Sequence, residues 1–218
     1  MKKKTQFLLI ASLVLFLSSS AVGQFRMAVG PALGMNLNLH GGSDIEEGGS
    51  GFGIAFSGLV DMTFNKDKSL GILVGLDFYD NRSGSSDQLV PYNGVNYSVE
   101  NDVSIAYFQI ESLFKYRIPA GLYFVFGPVI GFDMTAELEQ TISVVGGQGS
   151  QKSKQSLKDT KARFELKAGA GFDIPISKFI TLAPQLTFGF GLTDVIKDVS
   201  YNIHTFQAAV ICKFNVID

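Results

Sequence analysis

The 218-residue chain sets 18 Lys and Arg against 20 Asp and Glu, a balance that gives nucleic acid no electrostatic footprint. Its one cysteine excludes an intramolecular disulfide framework. With 24 Gly, 19 Phe and no Trp, the composition is that of an all-β chain rather than a helical one.

The chain opens with a positive segment, Lys2, Lys3 and Lys4, followed by an apolar run from Phe7 to Leu17 and the small residues Ala21-Val22-Gly23 before Gln24. These are the parts of a cleaved secretory signal peptide. Residues 1–23 are therefore set apart from the fold, and 24–218 are read as one domain, with 15 basic and 20 acidic residues. No cysteine follows the cleavage site, so a lipoprotein anchor is not expected.

Alternation with period two then runs through most of the chain. A first strand, Arg26 to Leu39, has Met27, Val29, Leu33, Met35 and Leu37 on one phase and small or polar residues on the other. A Gly-rich acidic loop, 40–51, leads to a second strand, Phe52 to Phe64, with Asp61 on its polar phase. After a turn at 65–69, a third strand, Leu70 to Phe78, sets Ile72, Val74 and Leu76 against Gly71, Gly75 and Asp77. The segment 79–103 reads as a long polar connection in which Asn93-Gly94 makes a type I′ hairpin turn.

The fourth and fifth strands, Ala106 to Tyr116 and Leu122 to Phe132, are joined by a turn at 117–121. Phe108, Phe114, Phe124, Phe126 and Phe132 share one face, while Gln109, Glu111 and Lys115 lie on the other. Polar residues 134–160, with Gly146-Gly147-Gln148-Gly149-Ser150 at the tip, read as a flexible loop. A sixth strand from Ala162 places Arg163, Glu165, Lys167 and Asp173 opposite Phe164, Leu166 and Phe172. A turn at 175–178, a seventh strand from Phe179 to Leu192, a loop at 193–201 and an eighth strand from Asn202 to Val216 complete the chain.

Short turns alternate with longer loops, as in an eight-stranded antiparallel up-and-down transmembrane β-barrel with both ends periplasmic. None of the positions on the apolar phase is Asp, Glu, Lys or Arg, although 17% of the chain is charged. A Lys or Arg on a lipid face at the bilayer midplane costs ~2–4 kcal/mol. A soluble barrel would turn its apolar phase inward around a ligand, whereas here the opposite phase holds charges of both signs. Pro31, Pro128 and Pro184 fall inside strands, where the missing N–H predicts bulges.

The run Tyr107-Phe108-Gln109-Ile110-Glu111-Ser112-Leu113-Phe114-Lys115-Tyr116, with Phe126-Gly127-Pro128-Val129-Ile130-Gly131-Phe132 after the turn, resembles the PorT-like outer-membrane β-barrel family of Gram-negative bacteria. Glu111 and Ser112 stand where that family commonly has Pro-Leu. Gly171-Phe172-Asp173 and Cys212-Lys213-Phe214 are similar to its later segments. The resemblance implies a barrel in the cell envelope. The family's namesake is associated with type IX protein secretion.

Candidate chemistry is sparse. His40 and His204 crown the first and last strands, neighbours in a closed barrel, but their opposite phases turn the rings apart, and Ser43 and Asp44 sit beside a flexible Gly41-Gly42. Asp44, Glu46 and Glu47 match no metal loop, and Lys152, Lys154, Lys158 and Lys161 are surface charges within reach of lipopolysaccharide phosphates. No catalytic residue, cofactor or metal site is expected. The inward Asp61, Asp77, Glu111, Lys115, Arg163, Glu165 and Lys167 form a lumen charge network. In so narrow a barrel side chains nearly fill the lumen, so these charges are expected to plug it rather than line a pore. The expected protein is a non-enzymatic, monomeric surface scaffold or binding module acting through loops 40–51, 79–103, 134–160 and 193–201. Its partners are outer-membrane lipid, lipopolysaccharide and possible envelope or secretion proteins. The alternatives are a part of a secretion apparatus or a small ion-conducting channel.

Overall fold

The computed structural model describes residues 26–43, 48–64, 69–147, 149–157 and 159–217. The expected signal peptide, the acidic residues 44–47, Lys158 and most of the 65–69 turn lie outside them. The described strands are β1 (Arg26–Gly41), β2 (Ser50–Thr63), β3 (Leu70–Tyr92), β4 (Val95–Arg117), β5 (Leu122–Val144), β6 (Ser150–Ser156), β7 (Arg163–Phe172), β8 (Ile174–Pro175), β9 (Ile180–Gly191) and β10 (Asn202–Ile217).

All pairings are antiparallel, and β10 closes the ring by pairing both β9 and β1. β8 continues the line of β7 against β9. The wall therefore has eight staves, as the alternation predicts. The outward phase stands open: Leu33, Met35, Ile54, Phe114, Phe126, Leu186, Phe206 and Val210 are each 52–68% exposed. Apolar surface in a continuous belt is covered by lipid. The first strand starts and the last strand ends at one rim, where Met27 pairs with Ile217; this is the terminal end, and the opposite one is the hairpin end.

Two predicted loops are strands instead. β3 and β4 stay paired to Tyr92 and Val95, turning on Asn93 (φ 51°) and Gly94 (φ 78°). Positive φ at both central residues is the type I′ geometry. β5 runs on to Val144, and β6 pairs with it from Glu137–Ser156 to Ser143–Ser150. A four-stranded sheet of β3, β4, β5 and β6 thus stands beyond the belt. Register shifts mark where it begins, between Asp77 and Asp80 on β3 and opposite Ala106/Tyr107, at Met134, on β5.

The predicted bulges at the prolines are absent. β1 stays in step with β2 through Pro31, β5 with β7 through Pro128, and β9 with β10 through Pro184. On the opposite side of each proline the ladder lapses briefly and resumes without a shift. The residue lacking an N–H thus sits where pairing lapses, and lipid meets no orphaned donor. Beside Pro31, a Cβ on Gly30 would collide with the carbonyl of Cys212. Replacing Gly30 with Ala is expected to destabilise the barrel by ~1–3 kcal/mol through overpacking, measured as a lower urea midpoint for unfolding in detergent. Gly94→Ala, at φ 78°, is expected to cost ~1–2 kcal/mol locally in the hairpin tip and to lower the barrel's midpoint less than the Gly30 replacement does.

Candidate functional site

The inward phase fills the barrel in layers, and the inward face of β4 reads them in order from the terminal end: Lys115, Leu113, Glu111, Gln109, Tyr107 and Ile105. In the first layer Lys115 Nζ lies 2.7 Å from Asp61 and 3.3 Å from Asp173, while Lys213 Nζ lies 2.6 Å and 2.7 Å from the same carboxylates. Both ammonium groups also face the Tyr123 ring, at 4.2 Å and 4.7 Å from its centroid. The second layer is apolar, built from Leu59, Leu73, Leu113, Val125 and Ile211.

Charges return in the third layer. Lys167 Nζ bonds Glu111 at 2.9 Å and Gln207 at 3.3 Å. Above it Arg163 pairs with Glu165, and Arg82 Nε donates to Asp80 at 2.8 Å. Gln109 and Asn36 donate to the two oxygens of Asp80. Asp77 is buried here with one carboxylate oxygen unpartnered among the described residues. The fourth layer is again apolar: Ile105, Tyr107, Val195, Tyr201 and Ile203. Val195 and Tyr201 come from the 193–201 loop, which folds inward over the mouth.

All seven residues expected in the network are buried on the inward face. Lys167 reaches Glu111 across β5, as the strand order predicts. Lys115 instead turns to Asp61 on β2 and Asp173 on the β7–β8 stave. Asp173 and Lys213 are members that the alternation places inward without marking their importance. Asp80 and Arg82 fall inside the segment read as a loop, and beyond a bulge their phase cannot be read from strand three.

The two histidines diverge. His40 is buried against Tyr201, whose phenol bonds Nδ1. Burial pushes the Tyr201 phenol up, so it stays neutral in that bond. His204 stacks on Phe190 at 4.6 Å on the other side of the wall. Ser43 bonds Ser200 through its backbone, and among the described residues the two rings bond to Tyr201 and to the Gly191 backbone. Lys152 and Lys154 lean onto Glu139 and Glu137, at 2.6 Å and 2.8 Å, and those carboxylates raise both ammonium groups above the usual lysine range.

Beyond the belt the polarity of the sheet inverts. By register, Ser86, Gln88, Val90, Tyr92, Val95, Tyr97, Val99 and Asn101 share the face continuous with the lumen, with Leu138, Ile142, Val144 and Gln151. That face holds no Asp, Glu, Lys or Arg above Arg82. Asp87, Glu100, Asp102, Glu137, Glu139, Lys152 and Lys154 all lie on the other. Tyr92 is 65% exposed, and Val90, Val95, Ile142 and Val144 are also exposed.

Removing one partner of a buried pair leaves a bare charge, at a cost of ~3–5 kcal/mol. Lys167→Met is expected to lose stability on that scale in urea unfolding, and Glu111→Gln combined with it is expected to recover most of the loss. Equal losses in the single and double variants would show that the Lys167–Glu111 pair is not coupled.

No curated protein matches the chain. Similar solved structures include Ail, the attachment invasion locus protein of Yersinia pestis, at 11% identity over 88% of this chain and 99% of that one, with a TM-score of 0.42. They also include Neisserial surface protein A, at 12% identity over 86% and 97% with a TM-score of 0.39. OprG from Pseudomonas aeruginosa is similar at 8% identity over 89% and 96%, with a TM-score of 0.38. The family model described as outer membrane protein beta-barrel domain matches residues 19–197. With most of its length under that model, the chain belongs to the outer membrane beta-barrel domain family.

Proposed function

We propose that this barrel of the bacterial outer membrane is a non-enzymatic, monomeric surface scaffold or binding module, with its hairpin end outside the cell and both ends of the mature chain periplasmic. The observation that carries the reading is the uncharged, exposed face of the β3–β6 sheet. Membrane lipid accounts for the apolar belt but not for Tyr92, Val95, Ile142 and Val144, which stand well beyond it. At ~3.3 Å per residue, the fourteen or so residues from Phe78 to Tyr92 reach ~45 Å along the strand. A surface so far from lipid, with its charges sorted to the other side, suits a macromolecular partner.

In this reading the lumen network is a plug. Alternating charged and apolar layers give ions no continuous wet path, which favours a closed barrel over a small channel. The PorT-like segments around Tyr107 to Tyr116 support a second reading, a part of a protein-secretion apparatus; cross-linking in intact cells to secretion proteins separates it from a free-standing module.

Two measurements test the proposal. Shortening both hairpins to tight turns, by deleting residues 87–98 and 140–153, is expected to abolish binding of the chain to host-cell or envelope extracts while the barrel still folds. Undiminished binding would place the partner elsewhere. In planar bilayers the intact chain is expected to be electrically silent, and discrete ion-selective steps would replace the plug with a pore.

A further inference from the structure

Beneath the first charged layer, at the terminal end, lies a cavity of about 70 Å³. It is far smaller than the ~300–1,000 Å³ of sites for drug-sized ligands and has room for one small ion. Its lining sets Arg26, Lys115, Arg117 and Lys213 against only two carboxylates, Asp61 and Asp173. The lysines are already committed to those carboxylates. Arg117 also pairs with Asp173, Nε to Oδ2 at 3.4 Å, but its guanidinium is partly open and carries further N–H donors. The formal excess of positive charge favours an anion.

Two further atoms narrow its chemistry. Thr63 and Asp61 are each 7% exposed and both line the cavity. Among the described residues Thr63 Oγ1 has no hydrogen-bond partner, and Asp61 Oδ1 has none either, because both lysines bond its other oxygen. A hydroxyl can donate to an anion; a carboxylate oxygen can only accept. A fully deprotonated anion would set its lone pairs against Asp61 Oδ1, whereas an oxyanion that retains a proton satisfies it.

We infer that this cavity binds a proton-bearing oxyanion, hydrogen phosphate or, below its second pKa of ~6, a singly protonated phosphate monoester. The anion's O–H donates to Asp61 Oδ1, and its remaining oxygens accept from Thr63 Oγ1 and the Arg117 guanidinium. Sulfate carries no proton at neutral pH, and a phosphodiester, such as a phospholipid headgroup linkage, has none to give. The site discriminates against both by leaving the buried acceptor unpaired, which is the strongest form of selectivity a small polar site has. The inference is independent of the hairpin sheet at the other end.

The test uses the full chain refolded in uncharged detergent in a chloride buffer at a pH about half a unit below the ~6 second pKa of a phosphate monoester, titrated by calorimetry with inorganic phosphate, methyl phosphate, sulfate and dimethyl phosphate. Phosphate and methyl phosphate are expected to bind saturably at one site per chain, at least tenfold more tightly than sulfate or dimethyl phosphate. Binding of phosphate but not methyl phosphate would restrict the site to the free ion. Thr63→Val, which preserves shape, is expected to weaken phosphate at least tenfold, and Arg117→Gln to do the same with the barrel still folded on a gel. Sulfate binding as well as phosphate, an unaltered affinity in Thr63→Val, or no saturable binding would each overturn the inference; the last would mean that water fills the cavity.

Discussion

In the hydrocarbon of a bilayer no water is available to a main-chain N–H or C=O, so every such group in the wall must find its partner in the wall. Closure of β10 onto β1 follows from that constraint. So does the placement of the prolines. Pro31, Pro128 and Pro184 occur where a ladder lapses without a shift, and the residue that cannot donate is the one for which a lapse leaves no orphaned donor. The same rule fixes register, because a one-residue slip would turn Phe114 and Phe126 inward and Glu111 and Lys115 into lipid.

An eight-stave wall leaves an interior that side chains must fill, and alternation has already spent the apolar residues on the lipid face. The interior therefore takes charges, and each has to be paired in a nearly dry space. Lys115 and Lys213 straddling Asp61 and Asp173 share four ion pairs among four residues, backed by the Tyr123 ring. Layers of Leu59, Leu73 and Leu113 on one side and Ile105, Tyr107 and Ile203 on the other shut solvent away from the upper cluster. Because breaking one such pair costs more than the pair itself contributes, an arrangement of staves that left these charges unpaired would be disfavoured.

The wall was legible in the sequence because lipid allows one exposed phase and the lumen another. Its eight staves, the inward charges and the diverging histidines all follow from parity alone. What parity could not show is where a strand continues past a bulge. At Phe78–Tyr79 one extra residue reverses the phase of β3, so that Asp80 and Arg82 point inward on even numbers although Asp77 does so on an odd one. Met134 does the same to β5. Read without the bulges, the alternation fails at these points, and polar segments that are regular strands look like loops. The pairing of Lys115 with Asp61 and Asp173 was hidden for another reason: strand order gives neighbours in the wall, but side chains that cross a lumen choose partners by height.

Those two bulges also account for the inverted sheet. On β5 the apolar residues of the outer face and of the tip share even numbers, from Phe124 through Leu138, Ile142 and Val144, and on β3 Ile72, Val74, Leu76 and Phe78 share that parity with Val90 and Tyr92, with Asp80 and Arg82 between them. The bulge moves that parity from the outer face to the inner one. β4, which has no bulge of its own between them, must make the change in its residues: Phe108, Ile110 and Phe114 give way to Val95, Val99 and Val103. Three strands thus reach one uncharged inner face by two different routes, at the height where the wall leaves lipid. A sheet that served only to carry polar turns clear of the membrane would need no such change, since polar residues on both faces are soluble. It is this matched inversion on which the proposed partner-binding role of the inner face rests.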